Sequence, residues 1–188
     1  MTVFQNVRRG LIPARLTVDE VYALTEAGIL DEREHFELID GEIVPMAAAK
    51  ASRHELTKSK LTRALVLATG SDIRLYVEAS ITLSADTLVE PDLVLATGSA
   101  SRELRGPDLL LAIEVSDSSI AYDLRVKAPL YARFGVRDYW VVDAVRQTIR
   151  VHRDPRDGTY RDVEEYEAHD AVTALLLPGV TIRLDTLD

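Results

Sequence analysis

The sequence predicts a single α/β or α+β domain in which a mixed β-sheet is flanked by helices. Two observations support this fold class. Nearly continuous apolar runs, typical of strands covered on both faces, alternate with segments of helical periodicity. After a leading helix, the core segments follow in the order strand, strand, strand, helix, strand, which suits a sheet packed against helices. With 188 residues, 47% of them hydrophobic, the chain can bury one substantial core.

Composition limits the chemistry that the chain can perform. Cysteine is absent, which excludes disulfides, thiolate nucleophiles and cysteine-based zinc sites and is expected of a cytoplasmic protein. The 22 Lys and Arg against 31 Asp and Glu give a net charge of −9, so binding of nucleic acid requires a locally basic face. No apolar run reaches the roughly 18 residues of a membrane span, and no signal-peptide pattern is present.

The N-terminal part is predicted to form an irregular arm and a short helix. Residues 1–16 show no periodicity and are assigned to the arm. Thr17 and Glu20 have capping-box spacing, and Gly28 closes the apolar pattern that follows, so an amphipathic helix is expected between them. Since no linker, repeat or low-complexity tract interrupts the chain, residues 1–188 are interpreted as one domain.

A hairpin and a second helix are expected next. The dipeptide Asp40-Gly41 lies between alternating residues and predicts a two-residue hairpin turn. Ser52 and Glu55 repeat the capping-box spacing ahead of an apolar stripe, which predicts a helix over residues 53–69.

The exposed face of this second helix is predicted to carry the densest basic patch of the sequence. Its members are Arg53, Lys58, Lys60 and Arg63, with Lys50 just ahead of the helix. One interpretation is an ordinary solvated helix face. The other is a surface for nucleic-acid phosphates, for which Arg53 and Lys58 are the substrate-binding candidates.

Three strands and a loop are predicted in the middle of the chain. Residues 74–84 alternate in polarity and predict one long strand, and residues 89–96 predict the next. Residues 97–108 are rich in Gly, Ser, Arg and Pro and are assigned to an exposed loop. Residues 109–115 are nearly all apolar, as in a strand buried on both faces.

A third helix and the remaining strands complete the prediction. Apolar residues at helical spacing run from residue 120 to 134, after possible N-caps at 116–119. Pro129 lies inside this stripe and is expected to kink the helix or to break it near Lys127. Residues 138–144 predict a buried strand, residues 148–166 a hairpin around Asp157-Gly158, and the C-terminal residues extended or mixed structure.

Two carboxylates at the ends of predicted core strands indicate a metal site. Asp92 follows Pro91 at the start of one apolar run, and Glu114 lies near the end of the next. If these strands pair in register, both carboxylates can approach one Mg²⁺, a hard cation that prefers oxygen ligands. Glu78, on the preceding strand, is a further candidate acid. The alternative is that Asp92 caps a turn and Glu114 forms an ordinary salt bridge.

Lys127 is the candidate basic partner of these carboxylates. Its helix begins directly after the strand that carries Glu114 and can fold back over the metal site. A lysine there can orient an attacking water and stabilise charge that develops on a phosphate, which suits phosphodiester hydrolysis. The alternative is an exposed pair between Asp123 and Lys127, four residues apart on a helix.

Other catalytic patterns are missing from the sequence. It contains no G-x-S-x-G elbow, Walker A motif or G-x-G-x-x-G turn, and its four histidines lack metal-ligand spacing. His54 alone can face the site, from the first turn of the second helix. The alternative for His54 is a surface or capping role.

These motifs together resemble the Uma2 family of restriction endonuclease-like proteins, over roughly residues 17–187. The resemblance is carried by FELIDGEIV, the histidine of SRHELTKSKL, VEPDLVLA, LLLAIEVSDSS, AYDLRVKAPLYARFGVRDYWVVD and LPGVTIRL. It implies the PD-(D/E)XK nuclease fold, with a core of helix, three strands, helix and strand. It also implies that Asp92 and Glu114 bind Mg²⁺ or Mn²⁺.

The resemblance assigns further residues to the cleft and includes one departure. Strict E-x-K spacing would place a lysine at position 116, where this chain has Ser116. By resemblance that lysine has moved onto the next helix, which makes Lys127 the candidate. Glu37 and His54 match family positions near the same cleft and are assigned to catalysis. Asp123 and Tyr131 also match, and Tyr131 is assigned to substrate binding.

Three hypotheses follow from the sequence. The first is a metal-dependent DNA endonuclease in which water attacks the phosphodiester bond. The second, favoured by the net charge of −9 and by Ser116, is a nuclease-derived binding or scaffold protein that has lost catalysis. The third is an interaction domain unrelated to nucleases, which requires Asp92, Glu114 and Lys127 to be scattered in space. A homodimer would suit double-strand cleavage, but no sequence feature determines it.

Overall fold

The chain divides into two compact units. In a computed structural model, the structure describes residues 9–10, 15–31, 35–46, 51–98 and 104–188. The smaller unit comprises Met1–Lys50 and Ser80–Glu90, and the larger comprises Ala51–Ala79 and Pro91–Asp188. Most of the predicted N-terminal arm and Lys50 lie outside the described residues. The assignment of one domain to residues 1–188 stays a prediction.

The smaller unit combines one helix with a four-stranded sheet. The helix and strands are α1 (Val18–Glu26), β1 (Phe36–Ile39), β2 (Glu42–Pro45), β4 (Ile81–Ser84) and β5 (Thr87–Val89), and the strand order is β2-β1-β5-β4. The predicted capping box is confirmed, because the Glu20 N–H donates to Thr17 Oγ1 and the Thr17 N–H donates to Glu20 Oε2.

The predicted hairpin turn at Asp40-Gly41 is also confirmed. Strands β1 and β2 pair antiparallel across it, and φ is +50° at Asp40 and +79° at Gly41. Two successive left-handed residues form the tight turn that matches strand twist, which is why Asp-Gly is favoured there. A Cβ at Gly41 would lie 3.1 Å from the Leu16 carbonyl oxygen, so close backbone packing adds a second reason for glycine.

The larger unit is built on a mixed six-stranded sheet, as the sequence predicts. Its strand order is β10-β9-β8-β7-β6-β3, and within the described chain β7 and β8 pair parallel whereas the other neighbours pair antiparallel. The strands are β3 (Ile73–Val77), β6 (Leu93–Thr97), β7 (Leu109–Ser116), β8 (Asp138–Asp143), β9 (Thr148–Arg156) and β10 (Thr159–Glu167). The predicted hairpin at Asp157-Gly158 joins β9 and β10.

A long helix and a C-terminal hairpin pack against this sheet. Helix α2 (Ser52–Ala68) contributes Leu61 and Leu65 to the core, where they join Trp140 of β8. Strands β11 (Val172–Ala174) and β12 (Leu177–Ile182) form a separate two-stranded sheet whose apolar residues belong to the same core. None of the helices that the structure describes has the length and apolar character needed to cross a membrane.

The single strand predicted over residues 74–84 is wrong. The chain leaves β3 at Glu78, a non-glycine residue with φ of +49°, and re-enters extended structure as β4 of the smaller unit. The strand predicted over residues 89–96 is likewise divided, since β5 ends before Pro91 and β6 begins after Asp92. A left-handed residue interrupts an extended strand, and proline removes a ladder donor, so neither segment continues as one strand.

Two expectations about α2 are also wrong. The helix begins one residue earlier than a Ser52 cap would require, with Ala51 at the N-cap, so Ser52 and Glu55 do not form a capping box. Lys58, which was expected on the exposed face, is only 7% exposed.

The irregularity predicted near Lys127 takes the form of a π-helical segment. Helix α3 (Ile120–Tyr122) continues into a π-segment (Asp123–Lys127), which continues into α4 (Ala128–Arg133). Inside an α-helix, the ring of Pro129 would clash with the carbonyl group four residues earlier. The wider π-turn accommodates the proline without ending the helix, and such turns are frequent at functional sites.

Candidate active site

Asp92 and Glu114 lie on neighbouring strands of the larger unit. Strands β6 and β7 pair antiparallel with Leu93 opposite Ile113. Asp92 directly precedes Leu93 and Glu114 directly follows Ile113, so both lie at the same end of this strand pair. Both side chains are buried, and Asp92 Oδ2 accepts a hydrogen bond of 2.8 Å from the Val115 N–H. The structure therefore brings together the two carboxylates that the sequence paired.

Lys127 and Tyr131 both contact Glu114. Lys127 Nζ lies 2.8 Å from Glu114 Oε1, and the Tyr131 hydroxyl donates to the same oxygen at 3.0 Å. Both partners come from the helical connection between β7 and β8, one from the π-segment and one from α4. Tyr131, the predicted substrate-binding residue, is fully buried, and its hydroxyl instead binds Glu114.

The alternative of an exposed pair between Asp123 and Lys127 is wrong. Both side chains are buried, and Asp123 Oδ2 accepts hydrogen bonds from the Ser116 and Ser119 hydroxyls. Burial raises the pKa of Asp123, while the charge of Lys127 and the two hydroxyls act in the opposite direction. Ser116 occupies the position where strict E-x-K spacing would place a lysine. Its hydroxyl binds the carboxylate of Asp123, which lies one helical turn before Lys127.

His54 bridges two carboxylates in the larger unit. Its Nε2 lies 3.2 Å from Asp92 Oδ2, and its Nδ1 lies 3.0 Å from Glu55 Oε1. A neutral imidazole has a single N–H, so both contacts are hydrogen bonds only when both ring nitrogens carry a hydrogen. The side chain is buried, and the alternative of a surface or capping histidine is wrong.

Lys58 and Arg53 occupy different environments, although both were assigned to substrate binding. Lys58 Nζ lies 3.0 Å from the carboxylate of Glu55 and 2.7 Å from that of Glu78. The hydrogen bond from Lys58 is the main reason why the pKa of Glu55 is lowered. Arg53 is exposed and lies 3.4 Å from Asp117. Of the two, Arg53 alone fits the expected solvent-facing cation.

Glu37 belongs to the smaller unit. It is 1% exposed, and its Oε1 accepts a hydrogen bond of 3.1 Å from the N–H of Glu90. Glu90 precedes Asp92 by two residues in the sequence. The catalytic role assigned to Glu37 stays a prediction.

Sequence reasoning missed the contacts that link Glu55, Lys58 and Glu78. Glu55 and Lys58 are three residues apart on a helix, a spacing at which side chains meet, and this was the available signal. The capping-box interpretation obscures this spacing, because it assigns the Glu55 side chain to the start of the helix. The contact between Lys58 and Glu78 joins residues 20 positions apart and has no local sequence signal.

The carboxylate pair suits a magnesium-like ion better than a zinc-like one. Among the described residues, no group of three or more His, Cys, Asp or Glu side chains is arranged to hold a metal ion. Mg²⁺ does not need such a cage, since it keeps several waters and is usually held by one or two carboxylates together with substrate phosphates. Asp92 and Glu114 match that donor set.

The sheet of the larger unit, with paired carboxylates and a lysine on the following helix, defines a restriction endonuclease-like protein. The chain belongs to the Uma2 family, described as "Putative restriction endonuclease", whose model matches residues 18–185. This confirms the family resemblance that the motifs indicate. No curated protein matches the chain.

A solved structure supports the same fold. The chain is similar to a putative nuclease belonging to DUF820 from Anabaena variabilis ATCC 29413, with 16% sequence identity and a TM-score of 0.68 over 90% of this chain and 96% of that chain. At this identity the likeness shows the fold alone, and it confirms the predicted restriction endonuclease-like architecture. The type IIG restriction endonuclease BpuSI also matches, with 18% identity and a TM-score of 0.38 over 57% of this chain and 12% of that chain.

Proposed function

We propose that this protein is a divalent-metal-dependent endonuclease that hydrolyses phosphodiester bonds in DNA. The observation that carries the proposal is the buried group formed by Asp92 and Glu114, on neighbouring strands of one sheet, and Lys127, on the helical connection that follows β7. The description of the family and the nuclease fold support it.

Each residue of this group has a role in the proposed reaction. Asp92 and Glu114 would hold Mg²⁺ or Mn²⁺, and the ion would supply activation of water and charge compensation at the scissile phosphate. Lys127 orients Glu114 and places a positive charge where negative charge develops during attack. Tyr131 also fixes Glu114, and His54 fixes Asp92.

Binding of DNA must overcome the net charge of −9. Arg53 precedes His54 on α2 and is exposed, so we assign it a contact with a substrate phosphate. A divalent ion bound to the two carboxylates would further reduce the local negative charge. Substrate affinity is therefore expected to depend on the metal as well as on Arg53.

Cleavage of supercoiled plasmid and of single-stranded DNA tests the proposal. The wild-type protein should cut with Mg²⁺ or Mn²⁺, and Asp92→Ala should lose the activity. Lys127→Met should lower kcat by about 100-fold or more, the scale of losing one preorganised electrostatic group. Asp162→Asn, an exposed carboxylate on β10, is the matched control and should cut normally.

Two outcomes contradict the proposal. Undiminished cutting by Asp92→Ala would remove Asp92 from the reaction and indicate another site or a contaminant. Absence of cleavage together with absence of calorimetric Mn²⁺ binding to the wild-type protein would favour the nuclease-derived binding protein instead.

A further inference from the structure

Lys58 is embedded in the larger unit where helix α2 meets the end of β3. It lies on α2 with its side chain 8% exposed, and its ammonium contacts Glu55 of the same helix and Glu78 beyond the end of β3. An exposed lysine that binds DNA would keep its ammonium in solvent, free to reach a phosphate. Lys58 instead directs its ammonium to two carboxylates of its own chain.

Glu78 connects Lys58 to the main chain of Asp92. Its backbone is left-handed, with φ of +49°, and its N–H donates a hydrogen bond of 3.1 Å to the Asp92 carbonyl oxygen. A left-handed conformation is unfavourable for a glutamate and persists only where surrounding contacts hold it. The contact of Lys58 with the Glu78 side chain is one such contact.

The same lysine is connected to the side chain of Asp92 by a second route. Lys58 binds Glu55, Glu55 binds His54 Nδ1, and His54 Nε2 binds Asp92 Oδ2. The contacts therefore close a ring that contains Asp92, which it joins at the carbonyl group on one side and at the carboxylate on the other. Loss of Lys58 would remove a contact from both connections.

We propose that Lys58 is a positioning residue that holds Asp92 for metal binding, rather than a contact to DNA. The expected effect of Lys58 on catalysis rests on the proposed nuclease function. Its expected effect on the position of Asp92 does not. With Lys58 in place, the left-handed turn at Glu78 and the imidazole of His54 are both fixed. Asp92 then keeps one orientation relative to Glu114, and small displacements of such groups are costly to catalysis.

Three variants separate positioning from DNA contact. They are Lys58→Met, which keeps the unbranched stem, Glu78→Gln, which keeps the side-chain shape, and the double variant. Glu55 and Glu78 are each more than one third exposed, so water can solvate them when the lysine is lost and the Met variant should fold. Glu78→Gln tests the same connection if Lys58→Met does not fold.

Amide hydrogen exchange in the metal-free protein is the first measurement. The Glu78 and Val115 amides donate to Asp92, and both should exchange at least about tenfold faster in Lys58→Met and in Glu78→Gln, as expected when a local restraint is lost. Amides in β8 should be unchanged. Wild-type exchange rates at both amides in both variants would overturn the proposal, whether or not the protein is a nuclease.

Cleavage kinetics are the second measurement. Both single variants should lower kcat by roughly 10- to 100-fold with KM for DNA changed less than about twofold. The double variant should be no worse than Lys58→Met alone, because Lys58→Met already removes the contact that Glu78→Gln weakens. A raised KM with unchanged kcat and a reduced salt dependence in Lys58→Met alone would show a phosphate contact and overturn the proposal. Arg161→Met, an exposed cation on β10, is the control.

The two measurements distinguish failure of this inference from failure of the proposed function. If the wild-type protein does not cut DNA, the nuclease proposal fails, and the exchange rates alone decide whether Lys58 restrains Asp92. If it cuts DNA and the exchange rates do not change, the inference on Lys58 fails and the nuclease proposal stands.

Discussion

At the scale of single residues, the protein buries ionisable side chains that a purely structural core would avoid. The pair formed by Lys127 and Glu114 is an example, since each side chain is about 5% exposed or less. A buried ion pair is usually no more stable than apolar residues of similar volume, because desolvation offsets the attraction. Stability therefore does not account for this pair, whereas the proposed chemistry does.

His152 is a buried ionisable residue outside the proposed reaction, and it gives a prediction of pH dependence. It lies on β9 beside the rings of Tyr139 and Tyr160, and its Nδ1 has no hydrogen-bond partner among the described residues. Burial, the main cause, lowers the pKa of His152 to about 4. The folded state therefore disfavours the protonated imidazole, while the unfolded state accepts the proton near its ordinary pKa.

The sign of the effect follows from proton binding. Between pH 6.5 and 4 the unfolded chain holds more protons than the folded one, so the contribution of His152 to stability is complete above pH 6.5 and is lost as the pH falls. Lowering the pH from 7.5 to 5 should reduce the free energy of unfolding by about 2 kcal/mol through this residue.

Urea unfolding at the two pH values measures this contribution. His152→Gln should show a smaller loss of stability between pH 7.5 and 5 than the wild-type protein, by the same amount. His169→Gln, at an exposed histidine, should match the wild-type difference. An equal pH dependence in His152→Gln and wild type would contradict the assignment.

At the scale of elements, the parallel pairing of β7 with β8 explains how Lys127 reaches Glu114. Parallel neighbours cannot be joined by a tight turn, so the chain must cross over between them, usually through a helix. Here the crossover contains the π-segment and α4, which supply Lys127 and Tyr131. A lysine on the crossover can thus serve a site on β7 even though Ser116 occupies the strand position.

The start of β7 and the end of this crossover are packed backbone to backbone at Gly106. A Cβ built there would lie 2.0 Å from the Phe134 carbonyl oxygen, which no side-chain adjustment relieves. Gly106→Ala should therefore lower the free energy of unfolding by roughly 2 kcal/mol or more, as for other overpacked sites. The added methyl group should force apart β7, which carries Glu114, and the helical connection that carries Lys127. The variant should therefore also lose cleavage activity.

Chemical denaturation and plasmid cleavage check this expectation. Gly179→Ala is the matched control, because nothing lies within 4 Å of the added Cβ, and it should resemble the wild-type protein. Wild-type stability in Gly106→Ala would mean that the close approach to Phe134 is not maintained in solution.

At the scale of the whole molecule, the acidic character of the chain makes divalent ions the expected ligands of the site. Mn²⁺ that binds the folded protein through Asp92 and Glu114 should stabilise it against unfolding. At 100 times the dissociation constant, the gain should be about 2.7 kcal/mol. Asp92→Asn should lose most of this gain, while Asp162→Asn should retain it.

Thermal unfolding at increasing Mn²⁺ concentration measures the effect and does not depend on any assay of cleavage. The midpoint should rise with concentration in the wild-type protein and return to its starting value after chelation. Equal stabilisation of Asp92→Asn and wild type would place the metal elsewhere on this acidic surface.

The sequence by itself determined the features that depend on neighbouring residues. The turn at Asp40-Gly41, the buried strand before Ser116 and the irregular helix before Pro129 follow from local conformational preferences and hydrophobic periodicity. The pairing of Asp92 with Glu114 followed as well, because two strands joined by one loop are usually neighbours.

Only the tertiary structure decided which charged side chains are buried and what they contact. The sequence predicts Lys58 on a solvated helix face and Glu78 inside a strand. In the fold, Glu78 adopts a left-handed bend and its side chain contacts Lys58. His54 likewise contacts a carboxylate 38 positions away along the chain. The physical reason is that local periodicity shows which face of an element is apolar, whereas the partner of a buried charge is set by long-range packing.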